Sequence, residues 1–366
     1  MLVSSLSDAA GAGGSAPAVS IILPTYNRAK FLPAALTSMR SQAWQDWELI
    51  VIDDGSSDNT RELVAELTAG WEQPVQYVYQ ENQGAYGARN RGLDMARGDF
   101  LALYDSDDVW LPHHLSDCVT ALRSNPDVDW VYGACRMVNL HSDQELAAST
   151  FYEGGRPRPC LRLRAESRGR LRVIDDRDAV RCQILHGLYC GLQNSVIRRR
   201  VFADYRFDAP LRNEAEDQVV VIWALTEGYR FAYFDNVHVI YHVHDANSSS
   251  ASLSLTVSKK RRLQEAAIAG FERLSREAKL SARERRALAR RLGSEYFWIL
   301  GYTTHWMNGN RAEALKNFRQ GLALWPWDWR CWKTYVVARL SLISPGEGEV
   351  SDGNGAAAGI EGRVVS

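Results

Sequence analysis

Leu49-Ile-Val-Ile-Asp-Asp-Gly-Ser56 is the stretch on which the fold reading turns. An apolar run that ends abruptly in two aspartates and a glycine reads as a buried strand, Leu49–Ile52, followed by a tight turn. Working outward, Val19–Leu23 is a second short apolar run, and Pro33 suits the first turn of the helix after it. Downstream, Ser57 or Asp58 is placed to cap a helix with the body Thr60–Leu67. Val75–Tyr79 then reads as a strand, Ala85–Ala96 as a helix and Phe100–Leu103 as a strand. This alternation predicts an α/β fold with a mainly parallel sheet covered on both faces. Ligands of such sheets bind beyond the carboxyl ends of the strands.

Polar clusters sit at those ends. Phe100-Leu-Ala-Leu-Tyr-Asp-Ser-Asp-Asp108 carries three carboxylates within four residues, a costly arrangement unless a cation neutralises them. Mg²⁺ or Mn²⁺ fits, as a hard ion held by one or two carboxylates plus substrate phosphates; taken alone, the segment also fits a capped polar loop before a helix near Pro112. Asp53 and Asp54 can accept hydrogen bonds from a base or ribose, or simply complete a strand-to-helix turn. Tyr26, in Pro24-Thr25-Tyr26-Asn27-Arg28, offers a ring for a nucleobase. In Glu81–Asn90, glycines open a helix whose N-terminus can face an anion, and Arg89 can pair with phosphate or aspartate.

Composition narrows the class. The 366 residues, 46% hydrophobic and 24% charged, suffice for one large domain and an appendage. A formal net charge of −1 argues against a nucleic-acid partner. Two stretches are basic: Arg156–Arg172 has seven arginines against Glu166, and Lys259–Arg291 has twelve basic residues against four glutamates. Solvated surface is the plain reading of both. Six cysteines (118, 135, 160, 182, 190, 331) include no CxxC pair, so spacing signals neither a zinc site nor a redox motif. The N-terminus lacks a signal-peptide pattern and no apolar run is long enough to span a bilayer, so a soluble or peripheral cytoplasmic chain is expected.

The middle of the chain is less regular. Trp130–Val138 and Asn194–Arg198 read as strands, Glu153–Arg172 as an arginine-rich loop, and Glu216–Glu227 as a helix stopped by Gly228. Phe231–Phe234 and Val237–Val243 read as two short strands. Lys259–Leu342 is helical, and Glu313–Pro326 resembles a tetratricopeptide-like helix with its closing proline. The domains expected are a disordered 1–17, a catalytic domain over 18–255, a helical region over 256–343 and a disordered 344–366.

In order, SIILPTYNR, IDDGSSDNT, NQGAYGARNRGLDMARGDF and LYDSDD resemble the family 2 glycosyltransferases of the GT-A fold, over roughly Val19 to Ser250. The resemblance implies that Pro24, Thr25, Tyr26, Asp54 and the adjacent Asp53 hold a nucleotide. It implies that Arg89 contacts the donor side, and that Asp105 and Asp107, with Asp108 next to them, hold the metal bridging two phosphates. The family's later acidic pair corresponds to Glu216-Asp217, with Asp217 as catalytic base; acidic residues in a helical first turn also stabilise the dipole without any chemistry. The family's Tyr-Arg-x-His position falls on Tyr241-His242-Val243-His244, which places a metal or diphosphate contact at His244. Histidine in place of the arginine leaves open which of His242 and His244 does what.

These implications amount to an inverting transfer from a nucleotide-diphosphate sugar, UDP being the commonest nucleotide, to a glycan or lipid-linked acceptor in cell-surface polysaccharide synthesis. The arginines of Glu153–Arg172 would hold a polyprenyl diphosphate or acidic glycan. The Lys259–Arg291 helices, with Trp325, Trp327, Trp329 and Trp332, would rest on anionic lipid at the inner face of the membrane or pack within the appendage. Leu101–Val109 also fits the opening motif of haloacid-dehalogenase phosphatases, with Asp105 as nucleophile, but three βα units precede it. A non-catalytic scaffold would be expected to have lost Asp107 or Asp217, and both are present.

Overall fold

The computed structural model describes residues 16–209, 216–244 and 256–343. The segments expected to be disordered lie outside the described residues, apart from Ala16 and Pro17. β1 (Val19–Thr25), β2 (Trp47–Asp53), β3 (Val75–Tyr79) and β4 (Phe100–Leu103) form a parallel block in the order β3-β2-β1-β4. The crossovers are α1 (Leu32–Arg40), α2 (Thr60–Leu67) and α3 (Gly84–Met95). All seven β2 residues are buried, as a strand covered on both faces requires. Strand alternation sends Ile21, Leu23, Leu49 and Val51 to the core shared with α1, and Ile22, Ile50 and Ile52 to the core shared with α3. The α3 face approaches so closely that a Cβ on Gly92 would lie 2.4 Å from Ile22 Cγ2. Asn59, not Ser57 or Asp58, occupies the N-cap position of α2, yet the Asp58 carboxylate accepts the Thr60 N–H at 3.2 Å.

The remaining strands are β5 (Val109–Trp110), β6 (Trp130–Asn139), β7 (Glu145–Ala147), β8 (Tyr152–Glu153), β9 (Arg156–Pro157), β10 (Ala165–Arg168), β11 (Leu171–Ile174), β12 (Ser195–Arg198) and β13 (Phe231–Val243). Among them run α4 (His114–Ser124), α5 (Ala179–His186) and α6 (Glu216–Thr226). β12 inserts antiparallel between β4 and β6, and β13 lies parallel to β6 with β11 and β10 beyond it. Two expectations are corrected. The 231–234 and 237–243 strands are one, β13, with register shifts around Val237. The arginine-rich segment is not a loop: β10 and β11 form a hairpin that turns at Gly169 (φ +64°) and extends the sheet. Leu171 and Val173 face the core while the arginines alternate outward, and Arg168 pairs with Asp127 and Glu166.

The C-terminal helices are α7 (Val257–Glu277), α8 (Ala282–Ser294), a π-helical stretch over Glu295–Trp306, α9 (Arg311–Leu324) and α10 (Trp329–Ile343). Phe271 and Leu274 of α7 and Leu288 of α8 share one core with Ile184 of α5 and Val219 and Ile222 of α6. Burying a side chain such as Phe271 contributes roughly 1.5–3 kcal/mol, so this contact fastens the helices to the sheet domain. Trp327 and Trp329 are 73% and 69% exposed, which excludes them from packing within the appendage. Among the described residues, no helix is long and apolar enough to cross a membrane.

Candidate active site

Three neighbouring parallel strands end together. β1 and β2 are in register with Thr25 opposite Asp53, and Tyr104 N–H donates to the Ile22 carbonyl at 2.8 Å, leading the chain into the acidic turn. Pro24, Thr25 and Tyr26 close β1. Thr25 is buried, with its Oγ1 lacking a hydrogen-bond partner, and the Tyr26 ring is half exposed. The following loop is pinned to the turn after β2: Asn27 (φ +51°) receives the Ser57 N–H at 2.8 Å and donates its own N–H to Ser56 Oγ at 2.9 Å.

Asp53 and Asp54 are both buried and engaged within the protein. Asp53 accepts the Ser56 N–H at 2.8 Å and the Tyr77 hydroxyl. Asp54 accepts the Gln83 N–H at 2.8 Å, the Gly84 N–H at 2.7 Å and the Gln80 amide at 2.7 Å. The anion at the N-terminus of α3 is therefore the protein's own Asp54, which satisfies first-turn N–H groups that would otherwise be orphaned.

Beyond β4 the acidic turn gathers basic side chains from three directions. Arg89 of α3 donates to Asp105 at 2.6 Å and stands 3.6 Å from Asp217 at the start of α6. The Arg89 side chain is 7% exposed and that of Asp217 40%, so the arginine is interior while the aspartate opens to solvent. Arg28 lies 3.4 Å from Asp107 Oδ2, and His244 Nε2 lies 3.0 Å from the same oxygen. Phe31 stacks on the His244 ring with centroids 4.9 Å apart. His242 instead directs Nδ1 at the Asp107 carbonyl, at 2.8 Å. β5 explains both histidines: its pairing with Val239 and Ile240 draws the end of β13 alongside the turn.

Electrostatics divide the three carboxylates. Burial pushes the Asp105 pKa up, with Arg89 opposing and Asp107 adding to the rise. Asp108 is pushed up further, by burial and by the charges of Asp107 and Asp105. For Asp107 burial is outweighed by the His244 hydrogen bond and Arg28, so its pKa falls below the ordinary value. Burial disfavours the Arg89 charge, but Asp105 and Asp217 together hold it on. Asp105 and Asp107 fit a hard divalent cation, and Asp108 behind them leaves a buried Oδ2 without a hydrogen-bond partner.

The structure thus brings Arg89, Asp105, Asp107, Asp217 and His244 into one cluster and sets Pro24, Thr25, Tyr26, Asp53 and Asp54 on the adjoining strand ends. Sequence reading did not assign roles to Arg28 or Phe31; their place just after the PTY turn was the available signal.

A family model described as "Glycosyl transferase family 2" matches residues 20–205. Among curated relatives, the Escherichia coli UDP-Glc:alpha-D-GlcNAc-diphosphoundecaprenol beta-1,3-glucosyltransferase WfgD is 38% identical over 34% of this chain and 48% of its own length. The Campylobacter jejuni GalNAc(5)-diNAcBac-PP-undecaprenol beta-1,3-glucosyltransferase is 37% identical over 32% of this chain and 38% of its own. The matches thus span half or less of these relatives. Among solved structures, S. aureus TarS 1-349 in complex with UDP-GlcNAc aligns with TM-score 0.57 and 18% identity over 84% of this chain and 81% of that chain. The Pyrobaculum calidifontis mannosyltransferase PcManGT, in complex with GDP-Man and Mn2+, aligns with TM-score 0.50 and 18% identity over 91% and 89%. These two likenesses are of fold, a mixed α/β sheet domain with a helical C-terminal region. The family match covers half of the sequence and agrees with the motif resemblance, and on it the chain belongs to the family 2 glycosyltransferases.

Proposed function

We propose that this enzyme transfers a sugar, with inversion, from a UDP-sugar to a hydroxyl of a polyprenyl-diphosphate-linked glycan during surface polysaccharide synthesis. The observation that carries the reading is the bridging of Asp105 and Asp217 by one buried guanidinium, Arg89. A cation held by the turn and a base at Asp217 would then stand on either side of one side chain, an arrangement that suits an in-line displacement. Both named relatives make β-1,3 linkages on undecaprenol-linked acceptors, and one uses UDP-Glc. A β-linkage formed from an α-linked nucleotide sugar is an inversion.

Asp217, open to solvent, accepts the proton of the acceptor hydroxyl as that oxygen bonds to the anomeric carbon and the carbon–oxygen bond to the nucleoside diphosphate breaks. Asp105 and Asp107 would hold Mn²⁺ or Mg²⁺, which when bound neutralises charge on the leaving diphosphate. Arg89 and Arg28 add positive potential on either side, and His244 keeps Asp107 ionised. Tyr26 offers its exposed ring, and Thr25 its unpaired hydroxyl, to the nucleoside. Asp53 and Asp54 act chiefly by shaping that pocket, since their carboxylates already hold protein donors.

The phosphatase reading is not favoured, because Arg89 sits on the would-be nucleophile Asp105. The exposed Trp327, Trp329, Val337 and Leu340, with the basic stretch of α7 and α8, support a peripheral contact with the cytoplasmic membrane face. Flotation with anionic liposomes that shows no salt-sensitive binding would remove that contact. For the reaction, nucleotide sugars are screened by thermal shift with Mn²⁺, and UDP-sugars are expected to stabilise the chain. The best donor is then assayed with a polyprenyl-diphosphate sugar, where metal-dependent release of nucleoside diphosphate is expected. Release of inorganic phosphate instead would overturn the assignment.

A further inference from the structure

Apart from the acidic turn, α4 and the middle of β13 bury a second set of metal-ligating side chains. His114 and Cys118 stand four residues apart on α4, so their side chains share one face of the helix. His238 enters from the irregular register of β13 around Val237 and Val239. All three are 0% exposed. His114 Nδ1 and His238 Nδ1 are 3.2 Å apart, and Cys118 Sγ lies 4.0 Å from the first and 3.8 Å from the second. Tetrahedral zinc with ordinary Zn–N and Zn–S bonds would separate its ligands by about 3.3 Å (N to N) and about 3.5 Å (N to S). The three donors therefore need movements of only a few tenths of an ångström to share one ion.

Independent features of the fold maintain this convergence. A Cβ on Gly133 of β6 would lie 2.3 Å from His238 Cγ, so the glycine is what admits the imidazole. Phe234 stacks on His238 at 5.4 Å, and Trp110 packs on His114 at 4.6 Å. On the far side of His238, Asp117 Oδ2 is buried without a hydrogen-bond partner, 3.9 Å from the His238 Nε2, which also lacks one. A carboxylate behind a ligating histidine is the usual support for a metal-bound imidazole.

We propose that His114 Nδ1, Cys118 Sγ and His238 Nδ1 bind Zn²⁺. Binding transfers the thiol proton to solvent and leaves two neutral imidazoles and a thiolate on the ion, with one coordination position outside this donor set. The mixed nitrogen–sulfur set selects a zinc-class metal, unlike the oxygen-rich turn of Asp105 and Asp107. Since the donors are fully buried, the metal is acquired during folding and pins α4 to the strand that leads on to His242 and His244.

The test uses the full chain, produced with zinc and purified without chelator. Elemental analysis is expected to find about one equivalent of zinc per chain. Protein loaded with Co²⁺ should show a thiolate-to-cobalt charge-transfer band. Cys118→Ser should lose that band, and both Cys118→Ser and His238→Gln should lose the zinc. Chelation should lower the melting temperature of the wild-type chain, and Zn²⁺ but not Mg²⁺ should restore it. A zinc-free wild-type protein with no charge-transfer band overturns the proposal. So does zinc retained in Cys118→Ser but lost in His113→Ala, which would place the ion on the other face of His238, with His113 and Asp117. Should the variants not fold, the cobalt spectrum of the wild-type chain decides alone.

Discussion

Midway along its length β13 puts His238 into a dry cluster of nitrogen and sulfur donors; at its end it sets His242 and His244 against the oxygens of an acidic turn. The two clusters share a strand and a residue type but not a chemistry. Around His238 burial, with His113 and the charge of Arg170 adding to it, disfavours the protonated ring, so the imidazole stays neutral. Around His244 the carboxylates arrive in excess, Arg28 and Arg89 pair with them, and the imidazole hydrogen-bonds Asp107. The contrast shows that a histidine's surroundings follow from what the neighbouring elements bring to it, and that one strand can carry a nitrogen–sulfur cluster and an oxygen-rich one.

The sharpest way to break this division lies at the hard end. Asp217→Asn should cut turnover by ~10²-fold or more while donor affinity stays intact, the pattern for losing a general base. Near-normal turnover in that variant would take Asp217 out of the chemistry. Asp107→Ala should weaken Mn²⁺-dependent donor binding at least ~10-fold, judged by how strongly metal sites respond to lost partners. Calorimetry with Mn²⁺ and with EDTA checks this, and donor bound equally tightly in both by the wild-type chain would contradict it. The zinc content of the same variant should not change, which ties the result to the contrast between the clusters. His244→Gln should raise the Mn²⁺ concentration needed for half-maximal rate by roughly tenfold. His242→Gln, whose ring meets the Asp107 backbone carbonyl rather than its carboxylate, should raise it less; the reverse order would exchange the two histidines' roles. The smallest effect is expected on the β10–β11 hairpin: Arg168→Ala should leave the acceptor KM unchanged, because this arginine is engaged by Asp127 and Glu166. A large rise in KM would return the β10–β11 hairpin to the acceptor site.

Much of the first half was legible because its signals are local. The apolar runs of β1, β2, β3 and β4 each end in a turn with its own glycine, proline or acidic residue, and Asp105, Asp107 and Asp108 follow β4 directly. The arginine-rich segment was misread for an equally local reason. Its outward arginines mask the alternation of Leu171 and Val173, which becomes visible only once β13 supplies a face to bury them. A sequence likewise does not show that Tyr77, Gln83 and Gly84 reach the Asp53 and Asp54 carboxylates.

By itself the sequence determined the βα alternation, the acidic turn at a strand end and the family motifs, all written within about twenty consecutive residues each. The antiparallel insertion of β12, the place of β13 beside β6, the choice of His244 for Asp107 and the meeting of His238 with His114 and Cys118 were decided only in the folded chain. Those contacts join residues more than a hundred positions apart, or strands whose partner is whichever sheet edge buries the matching face. Local periodicity specifies that a face is apolar; it does not specify what will cover it.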